Sequence, residues 1–179
     1  MLTAPNCLLL VVDVQESLAN VMFRKDNALK NIAGTIQGAK ILGIPILWTE
    51  QAPQKIGKTV PSISALLSDL TPIEKITFSC CADAKFMQAL GSFERKQILI
   101  VGIEAHVCVY QTAMDLVNLG YDVHVVADAV SSRTEENRSA GLGRIKDLGA
   151  GVTTTEMALC ELLKVAEGEK FKQIIKLIK

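Results

Sequence analysis

The sequence lacks an excess of charge of either sign. Its 179 residues contain 19 Lys and Arg against 19 Asp and Glu, so the formal net charge at pH 7 is zero. Proteins that bind nucleic acid or an anionic membrane surface usually carry a basic excess. We therefore expect a small-molecule substrate, with neither nucleic acid nor a membrane as partner. The absence of net repulsion also favours a homo-oligomer.

Long apolar runs and a basic leader are missing at the start of the chain. The first apolar run spans residues 7–12, and no basic residue precedes it. This run is shorter than the core of a signal peptide or a membrane span, and it is typical of a β-strand. The sequence therefore predicts a cytoplasmic protein.

Paired cysteine motifs are also absent. The five cysteines are Cys7, Cys80, Cys81, Cys108 and Cys160, an odd number without any CxxC spacing. This pattern fits neither a disulfide framework nor a zinc site. Adjacent cysteines rarely close a disulfide because the geometry is strained, so Cys80 and Cys81 are predicted to be free thiols.

No glycine-rich turn follows the first predicted strand. A dinucleotide-binding module needs GxGxxG at that point, whereas residues 13–18 are DVQESL. Internal repeats, low-complexity tracts and linkers are missing as well. With 49% hydrophobic residues, residues 1–179 are predicted to form a single domain.

Apolar strand-like runs alternate with segments of helical spacing along the chain. Predicted strands cover residues 7–13, 44–49, 72–75, 97–103, 121–128 and 151–155. Predicted helices cover residues 26–42, 62–68, 83–90, 107–119 and 134–148, with two more beginning at Glu156 and Glu169. This alternation predicts an α/β fold, a doubly wound six-stranded parallel sheet flanked by helices on both faces in a Rossmann-like three-layer sandwich.

Functional sites of such folds lie beyond the carboxyl ends of the strands. Asp13, Lys75 and Asp128 end three predicted strands, and Cys108 starts the helix after a fourth. A helix start and a nearby ammonium stabilise a thiolate, a carboxylate can accept the thiol proton, and early helical N–H groups can hold an oxyanion. These parts suffice for acyl transfer. The alternatives are an inert buried thiol, a capping carboxylate and a surface lysine.

Four segments of the chain resemble the isochorismatase-like cysteine hydrolases, in the branch of isochorismatase domain-containing proteins. They are LLLVVDVQ (8–15), WTEQ with the following GKTVP (48–61), EKITFSC (74–80) and VGIEAHVCVYQTAMDLVNLGYDVHVVADAVSSR (101–133). In order and spacing they cover about residues 5–165.

The resemblance implies an Asp–Lys–Cys triad formed by Asp13, Lys75 and Cys108. It also implies a cis peptide between Ile103 and Glu104, with the N–H groups of Glu104 and Cys108 as the oxyanion hole. The implied activity is hydrolysis of a small amide or related C–N bond through a Cys thioester, with no cofactor.

One departure from the wider superfamily concerns metal. Nicotinamidase-type members carry a metal site built from an Asp and several His residues after the second strand, whereas residues 49–62 contain neither residue type. The whole chain has only His106 and His124. The sequence therefore predicts no metal and disfavours metal-bound nicotinamidase activity. True isochorismatase activity does not depend on the cysteine, so Cys108 favours C–N hydrolysis.

Several residues that flank the triad in sequence are candidates for a substrate pocket, although each could equally be ordinary packing. They are Gln15, Leu18, Trp48, Phe78, His106 and Tyr110. His106 is placed at the pocket rim in preference to a Cys–His dyad. The spacing of residues 170–179 predicts an amphipathic helix that packs on the body or on a neighbouring subunit.

Two other functions are compatible with the sequence. A binding or scaffold protein would keep the fold without the chemistry. A redox sensor would need a second cysteine close to Cys108.

Overall fold

Six parallel strands form the centre of the molecule in the order β3-β2-β1-β4-β5-β6. The computed structural model describes residues 1–178. The strands are β1 (Cys7–Val12), β2 (Ile46–Gln51), β3 (Ile73–Lys75), β4 (Gln97–Ile103), β5 (Asp122–Ser131) and β6 (Gly151–Thr153). Strand order reverses between β1 and β4, the position at which doubly wound sheets bind ligands. The predicted doubly wound parallel sheet is confirmed.

Helices cover both faces of this sheet. They are α1 (Glu16–Ala19), α2 (Lys25–Leu42), α3 (Pro53–Ile56), α4 (Pro61–Ser64), α5 (Ala84–Gly91), α6 (Tyr110–Asn118), α7 (Glu135–Asp147), α8 (Thr155–Leu163) and α9 (Gly168–Ile178). Short 3-10 turns cover Ala4–Asn6, Ala65–Leu67 and Cys80–Ala82, and a π-helical turn covers Ala105–Val109. Helices α2, α8 and α9 cover one face, and α5, α6 and α7 cover the other.

Side chains of the central strands alternate between two apolar cores. In β1, Leu9 and Val11 pack toward α2, whereas Leu8 and Leu10 pack toward α6. All four are fully buried, as expected for a strand that is apolar on both faces. The three-layer sandwich predicted from these runs is confirmed.

The C-terminal helix α9 packs on the body of the protein. Ile174 is fully buried against the α2 face of the core, while lysines occupy the outer side. This placement confirms the predicted amphipathic helix. Within residues 1–178, no helix combines the length and apolar character needed to cross a bilayer.

Several element boundaries differ from the prediction. The fifth strand does not end at Asp128 but continues to Ser131, because a register shift between Ile100 and Gly102 of β4 lets pairing resume at Val130. Asp128 is therefore not a strand-end residue. Its Oδ1 accepts hydrogen bonds from the N–H and hydroxyl of Thr155 at 2.8 and 3.0 Å and so anchors α8.

The helix predicted to begin at Val107 starts two residues earlier, as the π-helical turn Ala105–Val109, and continues as α6. The predicted helix 62–68 is shorter than expected, because α4 passes into the 3-10 turn Ala65–Leu67. Cys108 therefore lies inside a π-helical turn rather than in the first turn of an α-helix.

Gly102 allows a close approach between the ends of the two central strands. It has φ of +125°, and a Cβ atom there would lie 2.1 Å from the carbonyl oxygen of Val12. Only glycine fits this position. Asp13, which follows Val12, and Ile103, which follows Gly102, lead into the candidate site.

Candidate active site

Asp13 follows β1 directly and is fully buried. Its backbone has φ of +50°, a left-handed conformation that turns the chain sharply after the strand. Oδ1 accepts a hydrogen bond from the Thr49 hydroxyl at 2.7 Å, and Oδ2 lies 2.6 Å from Lys75 Nζ. Both oxygens of this buried carboxylate therefore have a partner.

Lys75 ends β3, and its side chain has no exposed surface. Besides Asp13, its Nζ contacts Gln51 Oε1 at 2.8 Å and two backbone carbonyls, those of Thr77 at 3.0 Å and Phe78 at 3.3 Å. An ammonium has three protons to donate, and four acceptors surround this one. Its hydrogen-bonding capacity is therefore fully used without the cysteine.

The charge of Lys75 is set by two opposing effects. Burial lowers the pKa of its ammonium, whereas the negative charge of Asp13 raises it, and the net pKa lies above the ordinary value. Lys75 and Asp13 thus form a buried ion pair at neutral pH.

Cys108 lies in the π-helical turn after β4, which packs against α6 and α7, and its side chain is buried. Burial raises the pKa of its thiol, the adjacent Asp13 carboxylate raises it further, and the Lys75 ammonium opposes both. The net pKa lies well above the ordinary value, so the resting side chain is a neutral thiol beside a carboxylate. The three residues predicted as a triad are brought together at one edge of the sheet.

Cys80 is a second buried thiol beside the same charges. Burial and Asp13 raise its pKa to about 11, while Lys75 lowers it. Its N–H donates to the Thr112 hydroxyl at 3.0 Å. Both Cys80 and Cys81 are free thiols in the structure.

Two neighbours of the nucleophile have partners of their own. The peptide bond between Ile103 and Glu104 is cis, and the Glu104 carboxylate lies 3.0 Å from Arg133 Nε. His106 Nδ1 lies 3.0 Å from the Ser132 hydroxyl. His106 is therefore paired with a serine, and this arrangement does not favour a Cys–His dyad.

Gln15 and Trp48 hold loops together. The Gln15 amide exchanges hydrogen bonds with the backbone of Gln51 and donates to the Gly57 carbonyl at 2.7 Å. Trp48 Nε1 donates to the Thr59 hydroxyl at 2.9 Å. Both side chains are buried, so their polar atoms act within the protein.

The remaining pocket candidates differ in exposure. Phe78 is 57% exposed, Tyr110 is half-buried beneath the Arg144 guanidinium, and Leu18 packs against the core beside α2. Their contact with a substrate stays a prediction.

Sequence reasoning missed Thr49 and Gln51, which bind Asp13 and Lys75. Both lie at the carboxyl end of β2, and the strand-end rule that identified Asp13 also applies to this strand. The polar residues that follow the apolar part of β2 are the sequence feature from which Thr49 and Gln51 could have been predicted as site residues. Within residues 1–178, no cluster of three or more His, Cys, Asp or Glu side chains is arranged to hold a metal ion.

Comparison with known proteins identifies relatives over almost the whole chain. A family model described as the isochorismatase domain matches residues 7–157. The chain is 40% identical over 175 residues to the secreted isochorismatase effector Isc1 of Phytophthora sojae, covering 96% of this chain and 83% of that protein. It is 37% identical over 177 residues to isochorismatase domain-containing protein 2 of Danio rerio, covering 99% and 89%.

Solved structures show the same architecture. The MAR1 ribonuclease of Caenorhabditis elegans superposes with a TM-score of 0.92 at 38% identity, over 99% of this chain and 91% of that one. The YcaC gene product of Escherichia coli, described as an octameric hydrolase of unknown specificity, superposes with a TM-score of 0.93 at 25% identity, over 98% and 89%.

Proposed function

The chain belongs to the isochorismatase family, and from this premise we propose that it hydrolyses a small amide or related C–N bond through a thioester on Cys108. The observation that carries the proposal is the position of the buried Cys108 thiol near Asp13, whose charge raises the thiol pKa and whose carboxylate is held by Lys75 and Thr49. A nucleophile beside an oriented base is the arrangement that covalent hydrolysis requires.

In the first step, Cys108 Sγ attacks the carbonyl carbon of the substrate while its proton passes to Asp13. Proton transfer must accompany attack, because the raised pKa keeps the resting thiol neutral. The N–H groups of Glu104 and Cys108 are proposed to hold the developing oxyanion.

Lys75 holds the Asp13 carboxylate in place in this mechanism. Its protons are taken by Asp13, Gln51 and backbone carbonyls, so it acts on the sulfur through its charge rather than through a hydrogen bond. In this mechanism Lys75 therefore does not bind a Cys108 thiolate directly. This arrangement makes Gln51 a positioning residue for the ammonium.

Collapse of the tetrahedral intermediate breaks the C–N bond, and the proton held by Asp13 moves to the leaving nitrogen. A water molecule then attacks the thioester, and Asp13 accepts its proton. The C–S bond breaks, the acid is released, and Asp13 returns the proton to Cys108. All atoms and charges balance with water as the only second reactant.

The experiment is turnover of a panel of small primary amides, followed by ammonia release, with intact-protein mass to detect an acyl adduct. Acrylamide serves as an amide-shaped electrophile for mass mapping. We expect turnover and preferential labelling at Cys108, and we expect Cys108→Ala to abolish both.

Cys80→Ala is the matched control, since it removes a second buried thiol near the same charges. It is expected to keep turnover. Amide turnover that survives in Cys108→Ala would refute the proposal that Cys108 is the nucleophile. Absence of turnover together with labelling of Cys108 no faster than the exposed Cys160 would support a silent binding protein instead.

The compartment and the assembly of the protein are also proposals. We propose a cytoplasmic enzyme on the basis of its free cysteines, although one relative is described as secreted. A homo-oligomer is supported by the octameric description of the YcaC structure.

A further inference from the structure

A polar cavity lies away from the triad, between the first turn of α2, the last residues of β5 and the start of α7. Its volume is about 120 Å³, and its polar lining consists of Arg24, Asn27, Asn31, Asp128, Ser131 and Arg138. None of the triad residues borders it. The proposed hydrolysis gives this cavity no role.

Arg138 is fixed in the cavity wall by the backbone. Its Nε donates to the Val130 carbonyl at 3.0 Å, and one terminal nitrogen donates to the Ala127 carbonyl. A guanidinium carries five N–H donors, so three remain. Within residues 1–178, no carboxylate lies within 4 Å of this half-buried cation.

Arg24 brings a second guanidinium to the same cavity. It stacks on the Phe23 ring at 5.1 Å and, like Arg138, has no ion-pair partner in the described part of the chain. Asn27, in the first turn of α2, adds an amide to the lining. Two cations without anionic partners therefore face one small space.

The only carboxylate in the lining is already engaged. Asp128 Oδ1 accepts two hydrogen bonds from Thr155, and its backbone carbonyl accepts one from Asn31 at 2.9 Å. Two guanidiniums and one carboxylate give the cavity a net charge of about +1. A monoanion brings the total charge of the cavity to about zero, whereas a phosphate dianion would leave an excess negative charge beside Asp128.

We propose that this cavity binds a small monocarboxylate. The planar carboxylate matches the fork of N–H donors that a guanidinium presents, and the volume admits an acid of only a few heavy atoms. The site is independent of the proposed hydrolysis, so either can fail alone.

The test is a titration of ¹⁵N-labelled protein with sodium acetate and sodium lactate, followed by NMR. Sodium chloride and sodium phosphate at matched ionic strength are the reference salts. We expect saturable shifts of the Arg138 Nε–H signal and the Asn27 amides with the two carboxylates, at dissociation constants of about 1–10 mM. Phosphate is expected to bind more weakly.

Arg24→Gln should raise the dissociation constant about three- to tenfold, because one charge-assisted contact is lost at a partly solvated site. Arg144→Gln is the matched control: Arg144 lies on α7 outside the cavity and stacks on Tyr110 at 4.8 Å. Thermal unfolding of both variants checks that the fold is kept.

Several outcomes would overturn the proposal. Shifts that do not saturate by about 50 mM, or that chloride reproduces, would show that no site exists. Equal effects of Arg24→Gln and Arg144→Gln would place the binding elsewhere. Phosphate binding as tight as acetate binding would refute the monocarboxylate assignment.

Discussion

Lys75 and Asp13 form an ion pair in which neither side chain has exposed surface. Removing one member of such a pair leaves the other charge buried, which is far more costly than removing both. The interaction between Lys75 and Asp13 can therefore be measured by comparing the stability of the single variants with that of the double variant.

We expect Lys75→Met to lower the free energy of unfolding by about 3–5 kcal/mol, because the buried Asp13 carboxylate loses the ammonium that neutralises it. The double variant Lys75→Met, Asp13→Asn should lose less than the sum of the two single variants. Urea denaturation measures all three. Additive losses would show that the two charges do not depend on each other.

The protonation of Cys108 leads to a prediction on pH. Burial and the Asp13 carboxylate raise its thiol pKa, so the reactive thiolate is scarce at neutral pH and grows as pH rises. The rate of alkylation of Cys108 by iodoacetamide should increase about tenfold per pH unit between pH 7 and 9, without a plateau.

Mass mapping of the alkylated protein measures this rate for each cysteine separately. Lys75→Met should slow alkylation of Cys108 at every pH, since the ammonium that lowers the thiol pKa is lost. A rate that levels off near pH 7 would contradict the neutral resting thiol.

At the scale of elements, helix α7 holds the turn that carries the nucleophile. A Cβ atom at Gly141 would lie 2.8 Å from backbone atoms of Ala105 and His106, whereas one at Gly143 would have no neighbour within 4 Å. The two glycines occupy the same helix and differ only in the side they face. They form a matched pair for testing the contact.

Gly141→Ala should lower the free energy of unfolding by about 1–3 kcal/mol and reduce amide turnover, because α7 must move away from the Cys108 turn. Gly143→Ala should raise the free energy of unfolding by up to about 1 kcal/mol, since alanine favours a helix. Chemical denaturation and ammonia release provide the two readouts. Unchanged turnover and stability in Gly141→Ala would show that the contact is not rigid.

On the scale of the whole molecule, two apolar side chains beside Lys75 lie in solvent. Ile76 is 84% exposed and Phe78 is 57% exposed, although they follow a buried strand-end residue. An exposed apolar patch often marks an interface, and these two residues are only two positions apart in the sequence. They fit the homo-oligomer that the neutral net charge favours.

Light scattering after size exclusion should therefore give a mass that is a multiple of 19.4 kDa. The double variant Ile76→Ser, Phe78→Ser should shift the distribution toward the monomer, whereas Met157→Ser, at a side chain 59% exposed on α8, should not. A single wild-type species at the monomer mass would refute the oligomer.

The sequence by itself determined the six strands and the longer helices, but not the short helices α1 and α3. Apolar runs and helical spacing are local patterns, and the central strand β4 runs over residues 97–103 as predicted. The strand-end rule and the family resemblance together singled out Asp13, Lys75 and Cys108. Each of these residues lies at or after the end of a strand, and the end of a strand can be recognised from the residues around it in the sequence.

Only the tertiary structure decided what each of these side chains touches. Asp13 and Lys75 are 62 residues apart, and Gln51 is 24 residues from Lys75. The extension of β5 past Asp128 depends on pairing with β4, and the use of Gln15 as a loop anchor depends on β2. A buried polar group forms hydrogen bonds with the groups that the fold brings within reach. Strand order and burial therefore determine these partners, and they cannot be predicted from the local sequence pattern.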